Sequence, residues 1–332
     1  MIKNIHIELT SRCNINCKMC FALKNSDILN IDDYINIIRE LKIMNDRKEA
    51  NIVNIELGGH GEPLLYDNIV QAIEIAKNNF RRVSIVTNGL LLDIILAQKI
   101  LETNIDHIEI SMTGIDKEVY SNFQGYNNDN MDIIIQNIKN ILRLKHEKNK
   151  KTVVSLSYIS AGESKSHIKK YRTYWENMGI NRVYVHSLIH ESGQINDKFK
   201  SCYMIGQSLF IHSNGDVKIC CYDFKRELVI SNIHKDNLRN ILDTDTYTNI
   251  VNLNSSLKFD QMPMVCRKCN NMKRKILTDA FLNRKRMLYN GNLKTRLKGI
   301  IWGIGMLTYE ILPPNKYLYK ILYYLKSKFN VF

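Results

Sequence analysis

The sequence predicts an α/β fold built on a parallel sheet. Strand-like and helix-like segments alternate between residues 4 and 187, as a parallel sheet with crossover helices requires. The most distinctive local motifs directly follow strand-like segments, and the chemistry of α/β barrels lies at the carboxyl ends of their strands. Together these observations place the candidate site at one edge of the sheet.

The elements follow from the spacing of apolar residues. The strand-like segments are residues 4–9, 52–57, 82–87, 107–111, 152–159 and 182–187. The helix-like segments are residues 31–44, 68–78, 91–102, 131–147 and 166–178. A β-hairpin is expected next, because Asn214-Gly215 is the strongest type of short turn signal. Its turn covers residues 213–216, and its second strand covers residues 217–221.

Composition limits the class of protein. Hydrophobic residues make up 45% and charged residues 24%, as in an ordinary globular protein. Eight cysteines without a signal-peptide core indicate a reducing cytoplasm rather than a disulfide scaffold. The net charge of +14 does not indicate nucleic-acid binding, since residues 292–328 alone carry seven Lys or Arg against one acidic residue.

Three cysteines, Cys13, Cys17 and Cys20, directly follow the first strand. They suit a cubic iron–sulfur cluster with one iron left open, because clusters that only carry electrons normally have four cysteine ligands. Metal sites that perform chemistry keep such an open position. The alternatives are a zinc site or a buried thiol cluster, although zinc sites favour paired Cys-x2-Cys elements with four ligands.

The spacing Cys-x3-Cys-x2-Cys resembles the signature of the radical S-adenosylmethionine (radical SAM) superfamily. The resemblance implies a partial (β/α)6 TIM-like barrel and a [4Fe–4S] cluster whose open iron binds S-adenosyl-L-methionine. In that family one electron breaks the sulfonium bond, and the resulting 5′-deoxyadenosyl radical abstracts hydrogen from the substrate. Met19 stands where the family places an apolar residue against the adenine.

Three further segments resemble cofactor-binding motifs of the same family. Gly61 and Glu62, within the Gly-rich run 58–63 after the second strand, match the Gly-Gly-Glu motif that holds the methionine amino group. Asn88 and Ser111 end the third and fourth strands, where the family lines the cofactor cleft. Helix capping at a strand-to-helix turn is the alternative role for Asn88 and Ser111.

A second cysteine set resembles the SPASM/twitch appendage of radical enzymes, in its shorter version with one auxiliary [4Fe–4S] cluster. The matching ligands are Cys202, Cys220, Cys266 and Cys269. A structural zinc site is the alternative, because four cysteines with one Cys-x2-Cys pair also describe zinc. Cys221 is left over, either as a hydrogen-atom donor to a substrate radical or as a small buried residue.

The chain is expected to have three parts. Residues 1–195 form the radical SAM core, residues 196–290 a small α+β SPASM/twitch domain, and residues 291–332 a basic amphipathic helical tail. Such a tail can lie on an anionic membrane or cover an apolar protein face. The expected location is the cytoplasm, with the tail as a route to peripheral contact with the inner face of the membrane.

The resemblance implies an oxidoreductase or epimerase that uses a flavodoxin- or ferredoxin-type reductant. Because the first strand begins near residue 1, we expect no preceding peptide-recognition domain. This favours a small-molecule or carrier-linked substrate, namely a sugar, aminocyclitol or polysaccharide precursor. Dehydrogenation would pass an electron to the auxiliary cluster, whereas epimerisation would need a donor such as Cys221. The alternatives are modification of a ribosomally made peptide and a non-catalytic iron–sulfur or zinc redox sensor.

Overall fold

A computed structural model of the chain describes residues 1–18, 20, 25–112, 128–160, 164–187, 202–223 and 226–269. The chain divides into two compact units. The first comprises Met1–Asn196 and Cys202–Cys269. The second comprises Asp197–Ser201 and Asn270–Phe332. It includes the predicted helical tail, and all of its residues lie outside those described.

One sheet organises the first unit. Its six leading strands are β1 (Asn4–Ile7), β2 (Asn54–Leu57), β3 (Val83–Thr87), β4 (His107–Ser111), β5 (Val153–Ser160) and β6 (Arg182–Ser187). All six are parallel to their neighbours. The predicted parallel α/β class is therefore confirmed. The first residue of each of these six strands lies within two positions of the one expected from the sequence.

Three later strands extend this sheet rather than forming a separate one. They are β7 (Ser208–Ile211), β8 (Asp216–Lys218) and β9 (Val229–Asn232). Strand β7 pairs in parallel with β1, and β8 and β9 continue antiparallel, giving the order β6-β5-β4-β3-β2-β1-β7-β8-β9. The pairing of β7 with β1 brings the second half of the chain against the first strand.

Eight α-helices and two short 3-10 turns lie in the described residues. The helices are α1 (Ile31–Asp46), α2 (Ile69–Asn79), α3 (Ile94–Glu102), α4 (Asn128–Glu147), α5 (Lys165–Asn177), α6 (Leu238–Leu242), α7 (Asp245–Ser255) and α8 (Met264–Arg267). The 3-10 turns are Pro63–Leu65 and Phe259–Gln261. Side-chain oxygens of Asn30, Asp93 and Ser164 accept from the first turns of α1, α3 and α5, which explains where these helices begin.

The central strands have one apolar and one polar face. Ile5, Ile7 and Leu57 are fully buried, as expected for residues covered by helices. On the other face of the sheet, His6 Nδ1 lies 2.8 Å from Glu56 Oε1, and the His6 ring stacks on Phe210 at 4.3 Å between centroids. The face of the sheet that carries His6 and Glu56 is called the inner face below.

The hairpin after β7 is confirmed, but the predicted length of its second strand is wrong. Gly215 adopts a φ of +86°, as the turn requires. Strand β8 ends at Lys218 rather than at Cys221, next to a shift in its pairing register with β9 between Val217 and Lys218. The Lys218 ammonium then donates to the Asp223 carbonyl at 2.8 Å and closes a turn. Cys221 therefore lies in that turn and not in a strand.

Among the described helices none combines the length and the apolar character that crossing a bilayer requires.

Candidate active site

The loop with the first three cysteines is closed at its base by backbone pairing. Thr10 forms an antiparallel bridge with Ile28, and Ser11 N donates to the Asp27 carbonyl at 3.0 Å. The Asp27 amide returns a 3.0 Å bond to the Ser11 hydroxyl oxygen. This pairing fixes the loop to the carboxyl end of β1, which is where the sequence places the site.

The three thiols on this loop fit a metal cluster. Cys13 and Cys17 are half-buried and Cys20 is exposed, so all three sulfurs remain accessible to iron. A turn bond from Cys20 N to the Cys17 carbonyl, at 3.1 Å, keeps the last two ligands close together. Three thiolates on one short loop suit a cluster that leaves one iron without a protein ligand. Met19 lies outside the described residues.

Gly61 packs directly against the start of the cysteine loop. A Cβ atom at this position would lie 2.0 Å from the Thr10 carbonyl oxygen and 2.7 Å from that of Arg12. The next amide, Glu62 N, donates to the Arg12 carbonyl at 2.8 Å. Only glycine allows this approach, so the Gly-rich turn after β2 and the cysteine loop form one contiguous surface.

The Glu62 carboxylate joins that turn to the end of β3. It is buried, and it accepts from Leu64 N at 3.0 Å, from the Thr87 hydroxyl at 2.6 Å and from Asn88 N at 2.7 Å. Burial raises the pKa of Glu62, while the three hydrogen bonds lower it. A carboxylate has about four acceptor positions, so one remains for a ligand ammonium group. The predicted role of Glu62 in cofactor binding stays a prediction.

The side chains of Asn88 and Ser111 form hydrogen bonds within the protein. The Asn88 amide donates to Asn14 in the cysteine loop at 2.8 Å, and its oxygen accepts from Leu90 N at 3.0 Å. The bond to Leu90 closes a turn and not a helix cap, because Asp93 caps the following helix, and the bond to Asn14 ties the end of β3 to the cysteine loop. The Ser111 hydroxyl lies 3.3 Å from the Ser157 hydroxyl at the ends of β4 and β5. Cofactor contact by either residue stays a prediction.

The second cysteine set converges in space. Burial raises the pKa of Cys220 to about 12, and the neighbouring charges of Cys202 and Cys269 act in the same direction. Burial also raises the pKa of Cys266, with contributions from all three other thiols. These influences place the four thiols within electrostatic range of one another. Four converging sulfurs fit an auxiliary [4Fe–4S] cluster.

Backbone contacts hold this second set in place. The Asn254 side chain of α7 clamps Cys202, accepting from its amide at 2.7 Å and donating to its carbonyl at 3.0 Å. A turn bond links Cys269 N to the Cys266 carbonyl at 3.1 Å. These contacts connect ligands that are far apart in the sequence.

Cys221 lies beside this set, because the charges of Cys220 and Cys202 also raise the pKa of its thiol. It is half-buried, and burial raises the pKa of its thiol well above the ordinary range. The charges of Cys220 and Glu56 act in the same direction. Because Glu56 belongs to the polar face of the sheet, the Cys221 thiol lies within electrostatic range of that face. The thiol remains protonated at neutral pH, as a hydrogen donor must be.

Several polar residues of the inner face were not singled out from the sequence. Glu109 on β4 is one, and burial together with the charge of Glu56 raises its pKa to about 7, against a hydrogen bond from Ser157 that lowers it. Glu8 and His212 are others. The sequence did contain a signal for Glu8. Polar His6 and Glu8 alternate with the buried residues Ile5 and Ile7, which places both polar side chains on one face of the sheet.

Two family profiles match the chain. One, described as the Radical SAM superfamily, matches residues 7–173, which is half of the 332 residues. The other, SPASM, described as an iron-sulfur cluster-binding domain, matches residues 202–270. These spans contain both cysteine sets. The boundaries expected at residues 195 and 290 stay predictions.

Known proteins resemble parts of the chain. A probable GTP 3′,8-cyclase of Sulfurisphaera tokodaii is 30% identical over 145 residues, covering 43% of this chain and 44% of that protein. The chain thus spans less than half the length of this curated relative. Streptococcus suis SuiB bound to the precursor peptide SuiA has a TM-score of 0.62 at 14% identity, covering 82% of this chain and 70% of SuiB.

BtrN in complex with AdoMet and 2-DOIA has a TM-score of 0.53 at 19% identity, covering 82% of this chain and 94% of BtrN. At these identities the two structures establish likeness of fold alone.

Proposed function

The chain belongs to the radical SAM superfamily, and from that premise we propose that it dehydrogenates or epimerises a sugar, aminocyclitol or polysaccharide precursor. Its radical SAM domain binds S-adenosylmethionine and a [4Fe–4S] cluster, and its SPASM domain binds an auxiliary iron–sulfur cluster. When bound, these groups supply one-electron cleavage of the cofactor and abstraction of a hydrogen atom. The remaining steps belong to side chains of this chain.

The observation that carries the proposal is the polar inner face beside the two cysteine sets. His6 and Glu56 are paired at 2.8 Å, and Glu109 and Ser157 continue the polar surface on β4 and β5. Substrates rich in hydroxyl groups need several such partners, because a buried polar group without one is costly.

In dehydrogenation, the substrate loses a hydrogen atom, a proton and an electron. Glu109 is the proposed acceptor of the proton, since a carboxyl group with a pKa near 7 exchanges protons readily at neutral pH. Cys202, Cys220, Cys266 and Cys269 would hold the auxiliary cluster that would accept the electron, and a flavodoxin- or ferredoxin-type partner would remove it. The compartment implied by such a partner is the reducing cytoplasm.

In epimerisation, the substrate radical takes a hydrogen atom from the Cys221 thiol. The S–H bond breaks, a C–H bond of inverted configuration forms, and the resulting sulfur radical is restored by one electron and one proton. The reductant class named above supplies that electron. Burial of Cys221 supports this role, because it keeps the thiol protonated before the step.

The substrate class is tested with reconstituted protein in D2O under anaerobic conditions. We expect sugar nucleotides, free aminocyclitols or lipid-linked saccharides to raise 5′-deoxyadenosine formation at least about tenfold over the rate without substrate. An epimer gains one deuterium from solvent, whereas a dehydrogenated product lacks two hydrogens, so mass spectrometry separates the reactions. Stimulation by precursor peptides alone would replace this proposal with peptide modification, the activity class suggested by the SuiB complex.

Replacing Cys221 by alanine separates the two reactions. If the chain is an epimerase, C221A should still cleave the cofactor but lose product formation by about 100-fold or more, because the substrate radical is no longer quenched from the thiol side. C221S is the matched control for size, and it should fail equally, since an O–H bond is a poor hydrogen-atom donor. Normal turnover by C221A with loss of two hydrogens from the substrate would assign dehydrogenation.

A further inference from the structure

A third group of metal-ligating side chains lies outside both cysteine sets. Glu8, His60 and His212 each offer one ligand atom, and these atoms all lie within 4.8 Å of one another. Glu8 is 4% exposed and His212 is 5% exposed. The three residues come directly after β1, β2 and β7, so they meet at the same edge of the sheet as the cysteine loop.

The distances suit a shared cation. His212 Nδ1 lies 3.3 Å from Glu8 Oε1, and His60 Nδ1 lies 3.9 Å from Glu8 Oε2. A metal ion with bonds of about 2.0–2.2 Å to nitrogen and oxygen separates its ligand atoms by about 3–3.5 Å. The His212–Glu8 separation already falls in this range, whereas the wider separations, up to 4.8 Å, would have to shorten when an ion binds.

Groups behind these ligands orient them as in known metal sites. The far nitrogen of His60, Nε2, lies 3.3 Å from the Cys221 carbonyl oxygen, which leaves Nδ1 as the nitrogen directed at Glu8. Ligating histidines commonly donate their other N–H to a backbone carbonyl in this way. The Glu8 carboxylate is itself fixed by the Ser213 hydroxyl at 2.9 Å and by His60 N at 2.8 Å.

The charges at this site are compatible with a divalent ion. Hydrogen bonds from His212 and from the His60 amide outweigh burial and lower the pKa of Glu8 to about 2, so the carboxylate is ionised. Burial lowers the pKa of His60, which keeps its imidazole neutral. The Lys218 ammonium lies in electrostatic range of Glu8, but it is engaged with the Asp223 carbonyl at 2.8 Å.

We propose that Glu8, His60 and His212 bind one divalent transition-metal ion, with zinc as the best-fitting ion, through two imidazole nitrogens and one carboxylate oxygen. Two histidines and one carboxylate form the ligand set of zinc and non-haem iron sites that keep open positions. The open positions accept an oxygen ligand, such as a substrate hydroxyl or a water. The site is separate from both thiolate sets and does not depend on the proposed reaction.

The zinc content of the holoprotein tests this site. Protein with both clusters reconstituted is equilibrated with Zn²⁺, desalted and analysed for zinc, iron and sulfide. We expect wild type to retain about one zinc ion more per chain than either H60Q or H212Q. The control variant H146Q removes an exposed histidine of α4 and should retain as much zinc as wild type. All these proteins keep the eight cysteines, so zinc bound to thiols cancels in the comparison.

X-ray absorption at the zinc edge of the wild-type holoprotein provides a second measurement that needs no variant. The proposed site predicts nitrogen and oxygen neighbours at about 2.0–2.1 Å with imidazole scattering. Equal zinc retention by wild type and both histidine variants would overturn the proposal. Zinc with sulfur neighbours alone, at about 2.3 Å, would overturn it as well.

Discussion

Replacing Cys17 by alanine is expected to abolish cleavage of S-adenosylmethionine. The residue is the middle one of the three proposed cluster ligands, and two thiolates cannot hold a cluster that already lacks a fourth protein ligand. We expect C17A to lose about half of the iron of the reconstituted protein, and 5′-deoxyadenosine should fall to the level of a protein-free control. Chromatography of the reaction mixture and iron analysis provide both readouts.

Two other variants serve as controls for C17A. K18A changes an exposed residue between two ligands, and it should keep wild-type iron content and cleavage. C269A should also lose about half of the iron, but it should still cleave the cofactor, because the cysteine loop is intact. Undiminished cleavage by C17A would contradict the assignment of the first three cysteines.

Replacing Gly61 by alanine is expected to have the next largest effect. Its Cβ would lie 2.0 Å from the Thr10 carbonyl oxygen, and this neighbour is backbone that cannot rotate away. The Gly-rich turn and the cysteine loop must then separate, at a cost of about 3 kcal/mol in the free energy of unfolding. We expect G61A to show a lower urea midpoint and to incorporate little iron into the first cluster.

Gly58 provides the matched control within the same turn. A Cβ there would lie 3.3 Å from the Val86 Cβ and 3.4 Å from the Val86 carbonyl oxygen, contacts that a shift of a few tenths of an ångström relieves. G58A should therefore lose less than about 1 kcal/mol and keep normal iron content. If G61A and G58A behave alike, the close packing of the turn on the cysteine loop is not what positions the site.

Much of the fold was predictable because its signals are local. The helix beginning at Ile31 is fixed by Asn30, whose side chain accepts from Asp32 N at 2.8 Å. The hairpin turn is fixed by Gly215, whose positive φ few other residues adopt. Such signals depend on neighbouring residues in the chain, so the sequence alone displays them.

The contacts that the sequence did not predict are long-range. Glu8 meets the Ser213 hydroxyl across 205 positions, and this depends on β7 joining the sheet beside β1. No periodicity in the sequence specifies that pairing. The early end of β8 has a similar cause, because the bond from Lys218 to Asp223 exists only after the chain has turned.

The candidate site was predicted in part. The motif containing Glu62 was found, but its bonds to Thr87 and Asn88 give it a structural role that the motif alone does not reveal. The expected role of Met19 and that of the tail at residues 291–332 concern residues outside those described, and both stay predictions.

Electron paramagnetic resonance of a C220A variant tests the central claim most directly. This variant should lack the auxiliary cluster, so the signal of the reduced protein comes only from the cysteine loop at Cys13, Cys17 and Cys20. We expect S-adenosylmethionine to shift the g values of that signal, because its amino and carboxylate groups bind the open iron. An identical spectrum with and without the cofactor would contradict the account.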